Sequence, residues 1–400
     1  MIKKMTTGRH AGEYQVRIQP VNKLTHKRES WPVQYAKTKR IAKAKERKMW
    51  TKYQEGFKLA DGNSIFAEQF RKFVDSKKET VSKVTYRDWD YSARVVEHYF
   101  GAAKIKQINT QVISDFARKF VKEHEVRVGK SSAIERRLTH LHCYFQTIVG
   151  TTISKNPVPP KPLKVFFRRN EFDVSNNRYI FSNNELKLLK NEIIKDLNST
   201  DVTAWLTKLA IWIDLETGMR PGEIQALRFR NLTNFKSYTT FEIDDSWSDY
   251  SKSFNGSLKS RPHGTSRRCL PLSKELVKTI QEFKIRQNKF LNKHNLQNPE
   301  DLIFLNIRNY KTSSEARPIN QRSMNQMLDK LCKKLNIKTN DKNISLYSFR
   351  HTACTKLANS KDISNPWAAD RMGNSLWVFC NVYVKSDRDL DNEMVKAWLN

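Results

Sequence analysis

Thr217-Gly218-Met219-Arg220-Pro221-Gly222-Glu223-Ile224 is the stretch from which the rest of the chain can be read. Trp205 to Leu215, just before it, is a strongly apolar run that predicts a helix ending at Gly218. Pro221 suits the first turn of a second helix, because its missing N–H has no partner there anyway. Arg220 is thereby held on a tight junction, and Glu223 lies close enough to pair with it. Such pairing fixes the guanidinium fork for a bidentate contact with phosphate. The local sequence also fits a structural Arg–Glu bridge at a helix corner, as short motifs often do.

Toward the C-terminus, Leu346-Tyr347-Ser348-Phe349-Arg350-His351-Thr352 carries a second arginine in a helical pattern set by Phe349, Ala353 and Leu357. Met372-Gly373-Asn374-Ser375-Leu376 follows, and nine residues after Asn374 stands Tyr383, the only tyrosine after Tyr347. Taken singly, Tyr383 also reads as a half-buried aromatic. Between the two arginines, Tyr238 to Ile243 and Arg267 to Leu272 read as strands flanking a long polar loop. Helices are expected near 273–290 and 320–336. Ser182 with Glu185 is a capping box that opens the region at about residue 176.

Toward the N-terminus, Pro157, Pro159, Pro160 and Pro162 break regular structure beside Lys155, Lys161, Lys164, Arg168 and Arg169. This segment, 153–175, reads as a basic inter-domain linker. Residues 62–152 show four amphipathic helices. Ile65, Phe66, Phe70, Phe73 and Val74 mark the first, and Thr85 is the expected cap of the second, with Trp89, Ala93 and Val96 inside. Thr110 opens the third, and Ile134, Leu138, Leu141, Phe145 and Ile148 give the fourth its stripe. Their aromatics read as core. Residues 1–58 hold 16 Lys/Arg and four Glu. Tyr14, Val16 and Ile18 alternate as a strand does, and Ser30 to Tyr35 is extended. A helix follows Thr38, with Ala42, Met49, Trp50 and Tyr53 on one face and Gly56 as its end signal.

The expected fold class is mainly α with small β-sheets (α+β): a small basic sheet-plus-helix domain, a four-helix domain, and a mixed, mostly helical domain over 176–400. The formal net charge of +32 points to a polyanionic partner, because a surplus of that size repels itself until it is neutralised. Nucleic acid fits, since each phosphate contact releases counterions. No apolar run reaches the roughly 20 residues that span a bilayer, and Met1-Ile2-Lys3-Lys4 opens no signal peptide. A membrane is therefore not expected as a partner, and the cytoplasm or nucleoid is the expected location. The five cysteines, Cys143, Cys269, Cys332, Cys354 and Cys380, show no CxxC or zinc spacing, so neither disulfides nor metal is expected. No phosphate-cradling glycine loop is present, and no cofactor is expected.

Together, the TGxRxGE corner, the Arg–His–Thr box about 130 residues later and the tyrosine about 30 further on resemble the tyrosine recombinase (phage integrase) family. The small basic sheet and the helical domain resemble the arm-site and core-site binding domains of lambda-type integrases. The resemblance implies that Tyr383 attacks the scissile phosphodiester to form a 3′-phosphotyrosyl link, while Arg220 and Arg350 clamp the non-bridging oxygens. It implies a lysine on a β-hairpin as the proton donor to the leaving oxygen. Lys259 is the best candidate, with Arg261, His263 and Arg267 as competitors. Tyr347 stands where the family usually has His, and Asn374 where it has His or Trp. Each keeps a hydrogen-bond donor, but neither can serve as a base near neutral pH, which draws attention to His351, whose other reading is packing beside Arg350; Glu223 enters as a supporting residue through its pairing with Arg220. The resemblance further implies double-stranded DNA with core and arm attachment sites, a homotetramer on DNA, a DNA-bending accessory protein or excisionase, and a bacterial host. Met394, Val395, Trp398 and Leu399 form an amphipathic tail that in the family docks on a neighbouring protomer. The expected role is phage or mobile-element integration with excision. Inversion or dimer resolution, and a non-catalytic DNA-binding regulator, are the alternatives.

Overall fold

The computed structural model describes residues 1–21, 28, 29, 31–54, 61–173, 179–198, 201–259, 261–339 and 342–384. Ser30, Gly56 and the tail with Met394, Val395, Trp398 and Leu399 lie outside the described residues. The chain divides into two compact units, Met1–Ser175 and Asn176–Asn400.

In the first unit, strands β1 (Ile2–Lys4), β2 (Tyr14–Val16) and β3 (Gln34–Ala36) pair antiparallel in that order, with Ile2 opposite Val16 and Tyr14 opposite Ala36. Helix α1 (Lys39–Gln54) packs on this sheet, and Val16, Ile18, Trp31, Ala36, Ala42 and Met49 form a core of their own. β1 was not legible, because one isoleucine before two lysines carries no alternation; its partner β2 makes it a strand. Of the residues expected on one face, Ala42 and Met49 are buried, whereas Trp50 is 39% exposed.

Four amphipathic helices follow: α2 (Phe66–Asp75), α3 (Lys83–Phe100), α4 (Thr110–Glu123) and α5 (Ala133–Ile148). Ser82, Asn109 and Ser132 cap the last three, each accepting a backbone N–H with its side chain and so satisfying an otherwise orphaned donor. Thr85, the expected cap of α3, lies inside its first turn, since Ser82 reaches the Thr85 N–H first. The aromatics are core: the Phe66 ring meets Phe100, Tyr144 and Phe145 at 5.1, 5.6 and 5.0 Å. The proline-rich segment is not free of regular structure. Pro162 opens a short helix α6 (Pro162–Phe166), where its fixed φ suits the first turn. Val158, Leu163, Phe166 and Phe167 are buried in the helical core, so hydrophobic burial overrides the breaker signal there.

The second unit is built around α8 (Val202–Thr217). Trp205, Leu206, Leu209, Ala210, Ile211, Trp212 and Ile213 make α8 apolar on every side, and a helix of that kind has to be enclosed. α7 (Asn183–Leu197), α10 (Lys274–Lys293), α12 (Gln321–Lys334) and α13 (Leu346–Ala358) pack against it. Ser182 and Glu185 form the expected capping box at α7. α9 (Pro221–Gln225) leaves the end of α8, and α11 (Tyr310–Ser314) lies between α10 and α12.

β4 (Leu232–Phe235), β5 (Tyr238–Ile243) and β8 (Arg267–Arg268) form an antiparallel sheet in the order β4-β5-β8. β8 is shorter than the expected run to Leu272, because Pro271 has no N–H for the ladder. The Cys269 and Leu272 N–H groups still donate to β5, to Phe241 O at 3.0 Å and Thr239 O at 2.9 Å. Inside the long polar loop, β6 (Trp247–Ser248) and β7 (Ser253–Phe254) pair as a hairpin. α14 (Asn365–Met372) and α15 (Leu376–Tyr383) close the described chain and pack against α13. All five cysteines are free thiols.

Candidate active site

Gly218 ends α8 in the left-handed conformation, φ +58°. A Cβ there would lie 2.8 Å from Met372 Cε, 3.0 Å from Ala353 Cβ and 3.2 Å from Arg350 Cα. Only glycine lets α8 turn this sharply against α13 and α14. The turn delivers Arg220 to the N-cap of α9, where its N–H donates to Glu223 Oε2 at 2.9 Å and its Nη1 to Glu223 Oε1 at 2.9 Å. Gly373, φ +63°, plays the same part at the end of α14: a Cβ there would lie 2.7 Å from Arg267 Nε and 3.1 Å from Arg220 Nη1.

Three guanidiniums meet at this point, those of Arg267 and Arg350 buried and that of Arg220 partly buried. Arg220 Nη2 donates to Gly373 O at 2.7 Å and to Asn374 Oδ1 at 3.4 Å. Arg350, 3% exposed on α13, donates to Gly218 O at 3.1 Å, to Met372 O, and to Asn374 Oδ1 at 2.9 Å. Arg267 donates to Glu223 Oε2 at 2.6 Å and to Arg371 O. Glu223 thus bridges Arg220 and Arg267, while Arg220 and Arg350 converge on one oxygen atom of Asn374. Burial alone would push the Glu223 carboxyl up, but Arg267, Arg220 and Arg350 outweigh it and hold the group below the usual carboxylate range. Burial lowers the Arg350 pKa, with Arg220 adding repulsion. Asp214, fully buried on α8, has no hydrogen-bond partner on either carboxyl oxygen among the described residues. Burial drives its pKa well up, and Arg350 offsets only part of the shift. Three arginines gather around the Glu223 carboxylate, and a positive surplus of that kind suits an anion.

Tyr383, 8% exposed at the end of α15, packs its ring 5.5 Å from His351 and 5.7 Å from Phe379. It shares a buried cluster with Cys354, whose thiol receives the Asn374 amide at 3.9 Å. The fold therefore brings Arg220, Glu223, Arg350, His351, Asn374 and Tyr383 together on α9, α13, α15 and the α14–α15 junction. Tyr347 is on the first turn of α13 and 43% exposed, with no hydrogen bond to the cluster among the described residues. Lys259 is exposed in the loop between β7 and β8.

Two sequence readings change. Arg267 was a competitor for the proton-donor role, but its side chain is 2% exposed and locked to Glu223, so it braces the cluster. Arg261 is likewise engaged, with Asp370 Oδ1 at 2.5 Å. Asn374 was read as a donor toward phosphate; its oxygen faces the two arginines and its NH2 faces Cys354. The reverse orientation would set NH2 against two guanidiniums. Cys354 and Asp214 went unnoticed as neighbours of the site. Asp214 is the one charge in the apolar run 209–215 and was visible on that ground; Cys354 gave no signal.

Residues 183–387, more than half of the chain, match the model of the phage integrase family. The chain belongs to that family, the tyrosine recombinases, site-specific enzymes that cleave and rejoin DNA. No curated protein matches the chain. Among solved structures, the Tn1549 transposon integrase in complex with transposon right end DNA is 17% identical, with a TM-score of 0.62, covering 84% of this chain and 100% of that one. XerH site-specific recombinase bound to palindromic difH substrate is 15% identical, with a TM-score of 0.58, covering 84% and 85%. A lambda integrase dimer bound to a COC′ core site is 12% identical, with a TM-score of 0.52, covering 96% and 94%. At these identities the likeness is one of fold. Among the described residues no helix is long and apolar enough to cross a membrane.

Proposed function

We propose that this recombinase is an integrase of a phage or mobile element, with Tyr383 as its nucleophile. The observation that carries the reading is the convergence of Arg220 and Arg350 on a single oxygen, the Asn374 Oδ1. Two guanidinium forks aimed at one point form a cradle for a phosphate oxygen, prepared before substrate arrives.

In the reaction, Tyr383 Oη attacks phosphorus and the P–O5′ bond breaks, leaving a 3′-phosphotyrosyl link. Arg220 and Arg350 hold the non-bridging oxygens as negative charge grows on them. Lys259 gives its proton to the departing 5′ oxygen. The phenolic proton goes to a base, and His351, packed ring against ring with Tyr383, is the imidazole placed for it. Tyr347 and Asn374 complete the phosphate surroundings. Attack by a free 5′-hydroxyl reverses the step, so the bond energy is conserved without ATP.

The substrate is double-stranded DNA. Residues 176–400 carry the chemistry, 62–152 grip the core site with 153–175 leading between them, and 1–58 grip arm sites. The surplus of 16 basic over four acidic residues in 1–58 supports that last role. A homotetramer assembles on the DNA, with a bending protein or excisionase setting direction, in the cytoplasm of a bacterial host.

The test uses nicked duplexes selected from a randomised pool by covalent retention on the wild-type protein. Peptide mapping of the adduct is expected to find Tyr383, and Tyr383→Phe to form no adduct while DNA affinity is kept. An adduct in the variant, or one mapped to Tyr347, sinks the assignment. If residues 62–400 recombine arm-bearing substrates as well as the full chain does, the arm role goes, and inversion or dimer resolution becomes the better reading.

A further inference from the structure

Lys259, the proposed proton donor, is exposed, but the chain that leads to it is held at its base. Leu258, directly before it, is 3% exposed and belongs to the core around α8. Consecutive Cα atoms lie about 3.8 Å apart, so the buried leucine fixes where the stem of the lysine begins. Further back, a cross-link closes the open end of the β6–β7 hairpin. Asp245 Oδ1 accepts the Ser246 N–H at 2.7 Å and the Gly256 N–H at 2.8 Å. The Asn255 N–H donates to Ser246 O at 2.8 Å. The Ser246 hydroxyl donates to Ser257 O at 3.0 Å and accepts the Asn255 side-chain amide at 3.0 Å.

Asp245 is anchored in turn. Its Oδ2 lies 3.8 Å from Arg228 Nη2, and Arg228, 6% exposed, also reaches Glu300 Oε2 at 3.0 Å. The same guanidinium lies 4.6 Å from the centre of the Phe254 ring on β7. The hairpin itself rests on α9, the helix that starts at the Arg220 corner. Gln225 Nε2 donates to Asp249 Oδ1 at 2.8 Å, and a Cβ on Gly222 would lie 2.7 Å from Trp247 O. A path of fixed backbone therefore runs from the arginine corner through the hairpin and Asp245 to Leu258. Lysine carries its ammonium on four flexible carbons, so the charge is aimed only as well as the backbone beneath it. Hydrogen bonds to a carboxylate are directional and stronger than those between neutral groups, which suits Asp245 to that task.

We propose that Asp245 is a positioning residue for the proton donor: by tying Ser246 to Gly256, it sets the course of the chain into Leu258 and holds the base of Lys259 beside the arginine corner. This rests on Lys259 protonating the leaving oxygen. Asp245 itself takes no proton and forms no bond with DNA.

The experiment compares full-length wild type, Asp245→Ala, Asp245→Asn, Ser246→Ala and Lys259→Ala on two versions of the selected nicked duplexes. One is ordinary, and the other has sulfur in place of the bridging 5′ oxygen at the scissile phosphate, so that its leaving group needs no proton. Adduct formation is followed at saturating protein, with Tm measured on the same samples. Asp245→Ala is expected to slow adduct formation on the ordinary duplex by about 10- to 100-fold, the scale set by a displaced reacting group, and to keep the wild-type rate on the sulfur duplex. Asp245→Asn retains an oxygen for both N–H groups and is expected to recover most of the rate. Ser246→Ala removes another part of the cross-link and should show the same selectivity at smaller size; it decides the matter if Asp245→Ala does not fold. Equal slowing on both duplexes would mean a general loss of site structure and overturns the role, as does a wild-type rate for Asp245→Ala on the ordinary duplex. Lys259→Ala separates the two readings. If sulfur rescues it, those outcomes count against Asp245 alone. If sulfur leaves it slow, the donor assignment falls and takes this inference with it.

Discussion

Arg350 is 3% exposed and bonded to Gly218 O, Met372 O and Asn374 Oδ1, whereas Lys259 stands exposed in the loop between β7 and β8. Both belong to the proposed catalytic set, yet they are held by opposite means. The arginines are fixed by backbone carbonyls at two helix ends and by a shared carboxylate, so their geometry comes with the fold. The lysine is presented by a polar loop, and its approach to the leaving oxygen is left to the complex with DNA. A rigid clamp suits charge that develops at a fixed phosphorus. A proton donor acts only as the bond breaks, so it can arrive on a less constrained segment.

This contrast is broken most directly at the lysine. Lys259→Ala should slow cleavage of an ordinary duplex by about 10²- to 10⁴-fold, the usual worth of a general acid, and leave Tm unchanged. A duplex with sulfur replacing the bridging 5′ oxygen should restore the rate, because a thiolate leaves without a proton. Failure of that rescue would move the donor role to His263.

Arg267→Ala should do the reverse. It strips a partner from Glu223, which is 1% exposed, and leaves a buried charge less compensated. Unfolding in denaturant should show a loss of roughly 3–5 kcal/mol, the range for breaking a buried ion pair. A change below ~1 kcal/mol would mean that Arg220 and Arg350 alone hold Glu223.

The smallest effect is expected at Asp214. Its folded-state pKa lies well above the value of about 3.9 in an unfolded chain, so folding takes up a proton as pH rises past that value. The stability of the neutral form is fully present below the unfolded pKa and is lost progressively as pH rises toward the folded pKa. Asp214→Asn removes the titration. It should therefore raise Tm relative to wild type more at pH 8 than at pH 5. A pH-independent difference would show that the folded-state pKa is not raised and that Asp214 is ionised at both pH values.

Sequence alone determined what depends on neighbours a few residues apart. Gly218 as a helix end, Pro221 as a helix start, the Ser182–Glu185 box and the Arg220–Glu223 pair all involve groups within one helical turn, where backbone geometry settles the contact. The apolar character of α8 likewise announced an enclosed helix. Where a second segment competes, the local signal failed: Ser82 displaced Thr85 as cap, β2 made a strand of Ile2–Lys4, and burial drew Val158 and Leu163 out of the expected linker. The family resemblance had already brought Arg220 and Arg350 to one phosphate; only the tertiary structure decided that Arg267 joins them through Glu223, that Asn374 turns its oxygen to the arginines, and that Cys354 packs in one cluster with Tyr383. Those contacts join residues up to 154 apart in the chain. They depend on which helix faces which, and on two glycines that let the backbones come close enough, so no short stretch of sequence contains them.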